Sequence, residues 1–152
     1  MTCAYVGLGA NLGDRERTLR AAVEALGEED GIEVVALSTF RETAPVGVGD
    51  QPAYLNGAVV LETTLPARDL LGRLLAVEQR FGRVRVPGEH APRTLDLDLL
   101  LYDDDEIDEP GLTVPHPRLH ERRFVLEPLA ELAPGLTVAG RGDVKSLLAG
   151  VH

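Results

Sequence analysis

The chain has no tryptophan and one cysteine, and aromatic residues make up only 4% of its 152 positions. A single thiol, Cys3, excludes an internal disulfide; inside an apolar run it reads as a small hydrophobe. A reducing cytoplasm is the expected compartment. No stretch approaches the ~20 apolar residues that span a bilayer, and no basic segment followed by an apolar one marks a secretory signal. Lysine is nearly absent too: of 15 basic residues, only Lys145 is lysine. A P-loop needs a lysine closing its glycine-rich turn, and none stands in such a place. Schiff-base chemistry would rest on one residue near the C-terminus. The formal net charge of −10 argues against nucleic acid or an anionic membrane as partner. If the chain handles phosphate, arginine and metal must do it.

What is present fits a globular protein. An apolar fraction of 44% over 152 residues suits one domain, residues 1–152, burying about two-thirds of its unfolded surface. Residues 3–8 read as a strand. Asp14 can cap a helix over 15–26, with Leu19, Ala22, Val23 and Leu26 on one stripe. Strands follow at 32–40 and 54–62, the latter with Gly57 inside it. Thr64 and Pro66 open a second helix whose apolar positions are Leu70, Leu71, Leu74, Leu75 and Phe81. Residues 96–102 form the last strand of the series. The order β-α-β-β-α-β predicts an α+β, ferredoxin-like antiparallel sheet with packed helices. A C-terminal helical addition follows, with helices around 121–132 and 143–148. The connections 41–53 and 82–95 are long and rich in Gly and Pro, as binding loops often are. The acidic block Asp103 to Glu109 reads as a solvated hairpin turn.

The most informative segment is Pro92-Arg93-Thr94-Leu95-Asp96-Leu97-Asp98-Leu99-Leu100. In an extended strand, alternate side chains share a face. Asp96 and Asp98 therefore project together, with Leu97 and Leu99 opposite. Two neighbouring carboxylates repel unless a cation or proton lies between them. The pair could hold magnesium against a phosphate, or could be the wet face of a half-exposed strand. Arg80, Arg83, Arg85 and Arg93 reverse the sign of charge just before the pair, with Glu89 the one acid among them. Such a loop suits polyphosphate, or serves solubility. Glu78 falls on the buried stripe of its helix and needs a partner, which the adjacent arginines could supply.

Other features are weaker singly. Gly7, Gly9 and Gly13 follow a strand, but their spacing misses the dinucleotide-binding pattern, and a tight strand-to-helix turn accounts for them better. Tyr54 and Phe124 could stack on a flat ring while Asn56 reads its polar edge; core packing also accounts for aromatics. His116 stands between Pro115 and Pro117, which stiffen its backbone. A metal-dependent phosphohydrolase and a non-catalytic nucleotide-binding module use the same features.

Taken jointly and in order, several segments carry a resemblance. They are Tyr5-Val6-Gly7-Leu8-Gly9-Ala10-Asn11-Leu12-Gly13, Asp50-Gln51-Pro52, Tyr54-Leu55-Asn56, Gly82-Arg83-Val84-Arg85, Arg93-Thr94-Leu95-Asp96-Leu97-Asp98, Leu112-Thr113-Val114-Pro115-His116-Pro117 and Arg122-Arg123-Phe124. Together they resemble the 6-hydroxymethyl-7,8-dihydropterin pyrophosphokinases of folate biosynthesis. The resemblance implies transfer of the β,γ-diphosphate of ATP to the pterin hydroxymethyl group, leaving AMP, with two magnesium ions. It implies that Asp96 and Asp98 are metal ligands and that Thr43, Pro45, Val46, Tyr54, Asn56 and Phe124 line a pterin pocket. By the same likeness Glu78, Arg85, Arg93, Thr113, His116 and Arg122 fall at ATP, and Arg83 and Arg93 assist transfer. Neither nucleic acid nor membrane is implied as a partner, and a monomer is expected. His90 stands where many relatives carry tryptophan, and Leu75, Gly111 and Pro117 replace polar, basic or aromatic residues near the expected ATP site.

Overall fold

The structure is a computed structural model that describes residues 1–11, 14–43, 53–82 and 95–151. Its core is an antiparallel sheet built from β1 (Thr2–Ala10), β2 (Ile32–Leu37), β3 (Arg41–Thr43), β4 (Tyr54–Thr63) and β5 (Asp96–Tyr102). The spatial order is β2-β4-β1-β5, with the short β3 also on β4. Helices α1 (Arg15–Glu28) and α2 (Ala67–Gly82) make the two crossovers. The central strands are apolar on the face toward these helices because their period-two alternation puts Ala4, Val6, Leu8 and Ala10 there. These residues meet Val59, Leu61, Leu97 and Leu99 from the neighbouring strands, and Leu19, Leu26, Leu70 and Leu74 from the helices. This is the expected ferredoxin-like arrangement.

The chain continues through a hairpin, β6 (Ile107–Glu109) with β7 (Leu112–Val114), and a single 3-10 turn at Leu119–Glu121. Helix α3 (Arg123–Leu132), the small ribbon β8 (Thr137–Val138) with β9 (Gly142–Asp143), and α4 (Val144–Ala149) complete it. These C-terminal elements form a second core on the other face of the sheet. Ala58, Leu100 and Leu101 meet Leu119, Val125, Leu126 and Leu129 there. Leu100 and Leu101 both reach that core because the β1–β5 register slips between Tyr5 and Val6, and a bulge turns consecutive side chains to one side.

Four expectations change. The strand expected over 32–40 stops at Leu37, and Arg41–Thr43 forms a separate strand within what reads as a loop. Ser38 is the cause: its Oγ accepts the Ala58 N–H at 2.9 Å, doing with a side chain what a strand does with its carbonyl. Phe40 then lies over Gly57, where a Cβ would come within 2.8 Å of its ring. Leu75 is 42% exposed, not in the core. The buried stripe of α2 runs through Leu70, Leu74, Val77 and Glu78, and Leu75 lies one residue's rotation beyond Leu74. The acidic block is only partly a turn, since Asp108 and Glu109 belong to β6. The helix expected over 121–132 is a 3-10 turn followed by α3.

Candidate active site

The site assembles on the face of the sheet away from α1 and α2. Asp96 pairs with Gly9 and Asp98 with Gly7 on β1, while Leu97 and Leu99 are buried on the opposite face. Asp98 is exposed and Asp96 half-buried. Gly7 and Gly9 lie inside β1, not in a strand-to-helix turn as their spacing suggests. A Cβ on Gly9 would stand 3.0 Å from Asn56 Oδ1 and 3.5 Å from Tyr54 Cδ1, and one on Gly7 would meet Leu100 at 3.4 Å. These glycines are there for the close approach of side chains from the neighbouring strands. Their role is not legible locally, because it depends on strand register.

Across β1, Gly9 pairs with Asn56, and Asn56 pairs with Arg41 on β3. Cross-strand partners share a face, so Asp96, Asn56 and Arg41 lie in one row on the same face. At roughly 4.8 Å between strands, the Asp96 and Asn56 backbones are about 10 Å apart. Asn56 is buried, and its Nδ2 donates to Thr43 Oγ1 at 2.6 Å. Thr43 is the register partner of Tyr54. The structure thus brings Thr43, Tyr54 and Asn56 together. Asn11, just past β1, is 3% exposed, and its Oδ1 has no hydrogen-bond partner among the described residues.

The second flank comes from the segment after β7. The Val114–Pro115 peptide is cis, and the His116 N–H donates to Leu100 O at 2.9 Å, which docks the segment on β5. The Arg118 N–H donates to His116 Nδ1 at 3.2 Å, so the neutral ring carries its proton on Nε2. Burial pushes the His116 imidazole below its usual value; Asp98 opposes this, and Arg122 and Arg118 add to it. A neutral imidazole with an Nε2–H beside Asp98 is a donor suited to a phosphate oxygen. The Arg122 guanidinium lies 5.7 Å from the centre of the Phe124 ring. Phe124, at the start of α3, packs on the second core with Tyr5, on the same side of the sheet as Asn56. Thr113 is exposed in β7, opposite Asp108.

Glu78 is buried, as its place on the stripe requires, and a backbone amide is one of its partners. Its Oε2 accepts the Leu97 N–H at 2.7 Å, between the two aspartates. Pro45, Val46, Arg83, Arg85 and Arg93 lie outside the described residues, as do His90 and most of both long connections.

The donor set fits magnesium. Asp96 and Asp98 offer hard oxygen ligands, and the β1 residues opposite them, Gly9 and Gly7, carry no side chain to block a cation. Among the described residues no group of three or more His, Cys, Asp or Glu side chains could hold a metal. A cation at the pair would take its remaining ligands from water and phosphate, which is magnesium's habit.

The sequence pattern of the 7,8-dihydro-6-hydroxymethylpterin-pyrophosphokinase family matches residues 5–134. The chain belongs to this family. It is 44% identical over 140 residues to a 2-amino-4-hydroxy-6-hydroxymethyldihydropteridine pyrophosphokinase of Methylorubrum extorquens, covering 92% of this chain and 88% of that one. It is 46% identical over 129 residues to the protein of the same name from Bacillus subtilis, covering 85% and 77%. A crystal structure of a Plasmodium falciparum HPPK-DHPS triple mutant superposes with a TM-score of 0.76 at 14% identity. That match covers 97% of this chain and 44% of the longer one, and supports the fold. Like its family, the chain is an ATP-dependent pyrophosphokinase of folate biosynthesis. No described helix is long and apolar enough to cross a membrane.

Proposed function

We propose that the chain transfers the β,γ-diphosphate of ATP to the hydroxymethyl oxygen of 6-hydroxymethyl-7,8-dihydropterin, releasing AMP, with Asp96 and Asp98 holding two magnesium ions. The observation that carries this reading is the shared row of Asp96, Gly9 and Asn56. It sets a carboxylate pair about 10 Å from a buried amide, a span that suits a bicyclic ring with its hydroxymethyl group turned toward the metal pair.

In this reading Asn56 and Thr43 hydrogen-bond the polar edge of the pterin, and Tyr54 and Phe124 take its faces, with Pro45 and Val46 completing the pocket. Arg85, Arg93, Thr113, His116 and Arg122 hold ATP, and Glu78 serves the ATP side by fixing β5 through the Leu97 amide. His116 donates from Nε2 to a phosphate oxygen, and Arg122, already over Phe124, links the two subsites. Arg83 and Arg93 neutralise charge on the transferring diphosphate; removing one such arginine can cost about 10³-fold in related chemistry. Magnesium supplies the remaining neutralisation when bound. The residues' own work is to align the hydroxymethyl oxygen with the β-phosphorus and keep competing water out, since this chemistry depends mainly on positioning and charge. The enzyme is expected to act as a cytoplasmic monomer of one domain.

Incubating the protein with ATP, magnesium and the hydroxymethyl dihydropterin tests this directly. AMP that appears only when the pterin is present supports the reading. ADP, or AMP formed without an acceptor, overturns it in favour of a kinase or a hydrolase.

A further inference from the structure

The three residues of β3 are gripped from both faces of the sheet, and the grip on the site face comes from α3. Arg41 NH2 meets Glu131 Oε1 at 2.7 Å, and its Nε lies 3.6 Å from Glu127 Oε2. Glu131 also accepts the Thr39 N–H at 2.8 Å and the Thr39 hydroxyl at 2.7 Å. Glu127 is held in turn by Arg123 Nε at 2.7 Å. On the opposite face, Glu42 pairs with Arg15 of α1 at 2.8 Å, as strand alternation requires.

The consequence lies in what these elements carry. Phe124, Glu127 and Glu131 recur at helical spacing, so they share one face of α3. Arg41 is the register partner of Asn56, and Thr43, two residues on, receives the Asn56 amide. The ionic cluster therefore ties the helix bearing Phe124 to the strand that holds Asn56 and stands beside Tyr54. Burial raises the Glu131 carboxyl, but the Thr39 hydroxyl and N–H and the Arg41 guanidinium lower it further, below its usual value. It is ionised at neutral pH. One Arg41 nitrogen, NH1, is buried without a partner among the described residues, so the guanidinium depends on Glu131 and Glu127.

We infer that Glu131 and Arg41 are positioning residues for the pterin pocket, setting the separation of Phe124 from Tyr54 and Asn56 without touching ATP. This rests on the pyrophosphokinase reading above, in which those three residues bind the pterin. The cluster lies on the α3 side of Asn56, away from the Asp96 end of the row, so its loss bears on the pterin and spares the nucleotide.

Steady-state kinetics on Glu131→Gln and Arg41→Ala, with each substrate varied in turn, tests this. The pterin KM rises about tenfold, the change expected when a charge-assisted hydrogen bond is lost. The ATP KM stays within about twofold, and Arg41→Lys, which keeps the charge, recovers part of the loss. The double variant Arg41→Ala/Glu131→Gln is no worse than the poorer single one, because the two act as a pair. Fluorescence titration with the pterin in the presence of a non-hydrolysable ATP analogue gives the same ratio if placement of the ring is the cause. A folded Glu131→Gln enzyme with unchanged pterin KM, or with both KM values raised alike, overturns the inference. If Glu131→Gln does not fold, the Arg41→Lys and Arg41→Ala pair decides on the same criterion. Wild-type protein that makes no AMP overturns the underlying reading as well, and is distinguishable by that fact.

Discussion

The Glu78 carboxylate accepts the Leu97 amide at 2.7 Å, joining the C-terminal half of α2 to the start of β5. Among the described residues β5 ends the sheet order, so its outer N–H groups have no strand there to pair with, and Glu78 supplies an acceptor for one of them. The bond falls between Asp96 and Asp98. A buried carboxylate on a helix thus fixes the strand segment from which the proposed metal ligands project.

Replacing this acceptor has a structural cost. Glu78→Ala leaves the Leu97 N–H unpaired at a buried position and is expected to destabilise the protein by about 2–4 kcal/mol, or roughly 5–10 °C in Tm at this chain length. Glu78→Gln keeps an oxygen in place and loses less. Urea denaturation of the two variants measures the difference. Equal stabilities would show that the hydrogen bond is not what matters.

The aspartates make the opposite prediction. Asp98 is exposed, so Asp98→Ala should leave stability within about 1 kcal/mol of wild type while turnover falls by about 10³-fold or more. Asp96→Ala should be equally inactive. Substantial activity in either folded variant, measured by AMP release at saturating magnesium, would remove the two-metal assignment.

Gly9 and Gly7 form a paired test of the pocket. In Gly9→Ala the new methyl stands 3.0 Å from Asn56 Oδ1, closer than an ordinary carbon–oxygen contact, so the amide shifts and the pterin KM rises by about tenfold. In Gly7→Ala the methyl meets the Leu100 side chain at 3.4 Å, an ordinary van der Waals contact, and the pterin KM moves little. Equal effects of the two substitutions would refute a specific approach of β1 to Asn56.

His116 offers a pH test in the ligand-free protein. Its folded pKa lies below 6.5, chiefly through burial, so the neutral ring is favoured by folding. The corresponding stabilisation is complete above the unfolded value near 6.5 and is lost as pH falls through the lower folded value. Asp98 is the group that opposes the shift, so Asp98→Asn should lower the His116 midpoint further. NMR titration of the ring proton reads both values. A midpoint at or above 6.5, or an upward move in the variant, contradicts this arrangement.

Much of this was legible in the residues themselves. The alternation of Asp and Leu over 96–99 places the carboxylates on one face and the leucines in the core, because side-chain direction in a strand depends only on position along it. The α2 stripe likewise requires Glu78 to be buried. By residue type alone the glycines of β1 read as a turn and Leu75 as one more apolar position of α2, because residue types do not say which neighbour each position meets.

What the chain determined by itself, then, is the series of strands and helices, the acidic face of β5, and the scarcity of lysine that leaves phosphate to arginine and metal. Tertiary structure alone decided the rest. It set Asp96, Gly9 and Asn56 in one row, docked His116 on the Leu100 carbonyl, turned Glu78 to the Leu97 amide, and made Arg41–Thr43 a strand held by Glu131. Each is a pairing between segments distant in the chain. Local periodicity specifies the face a side chain occupies, but strand register and helix docking, set by packing of the two cores, specify what it meets there.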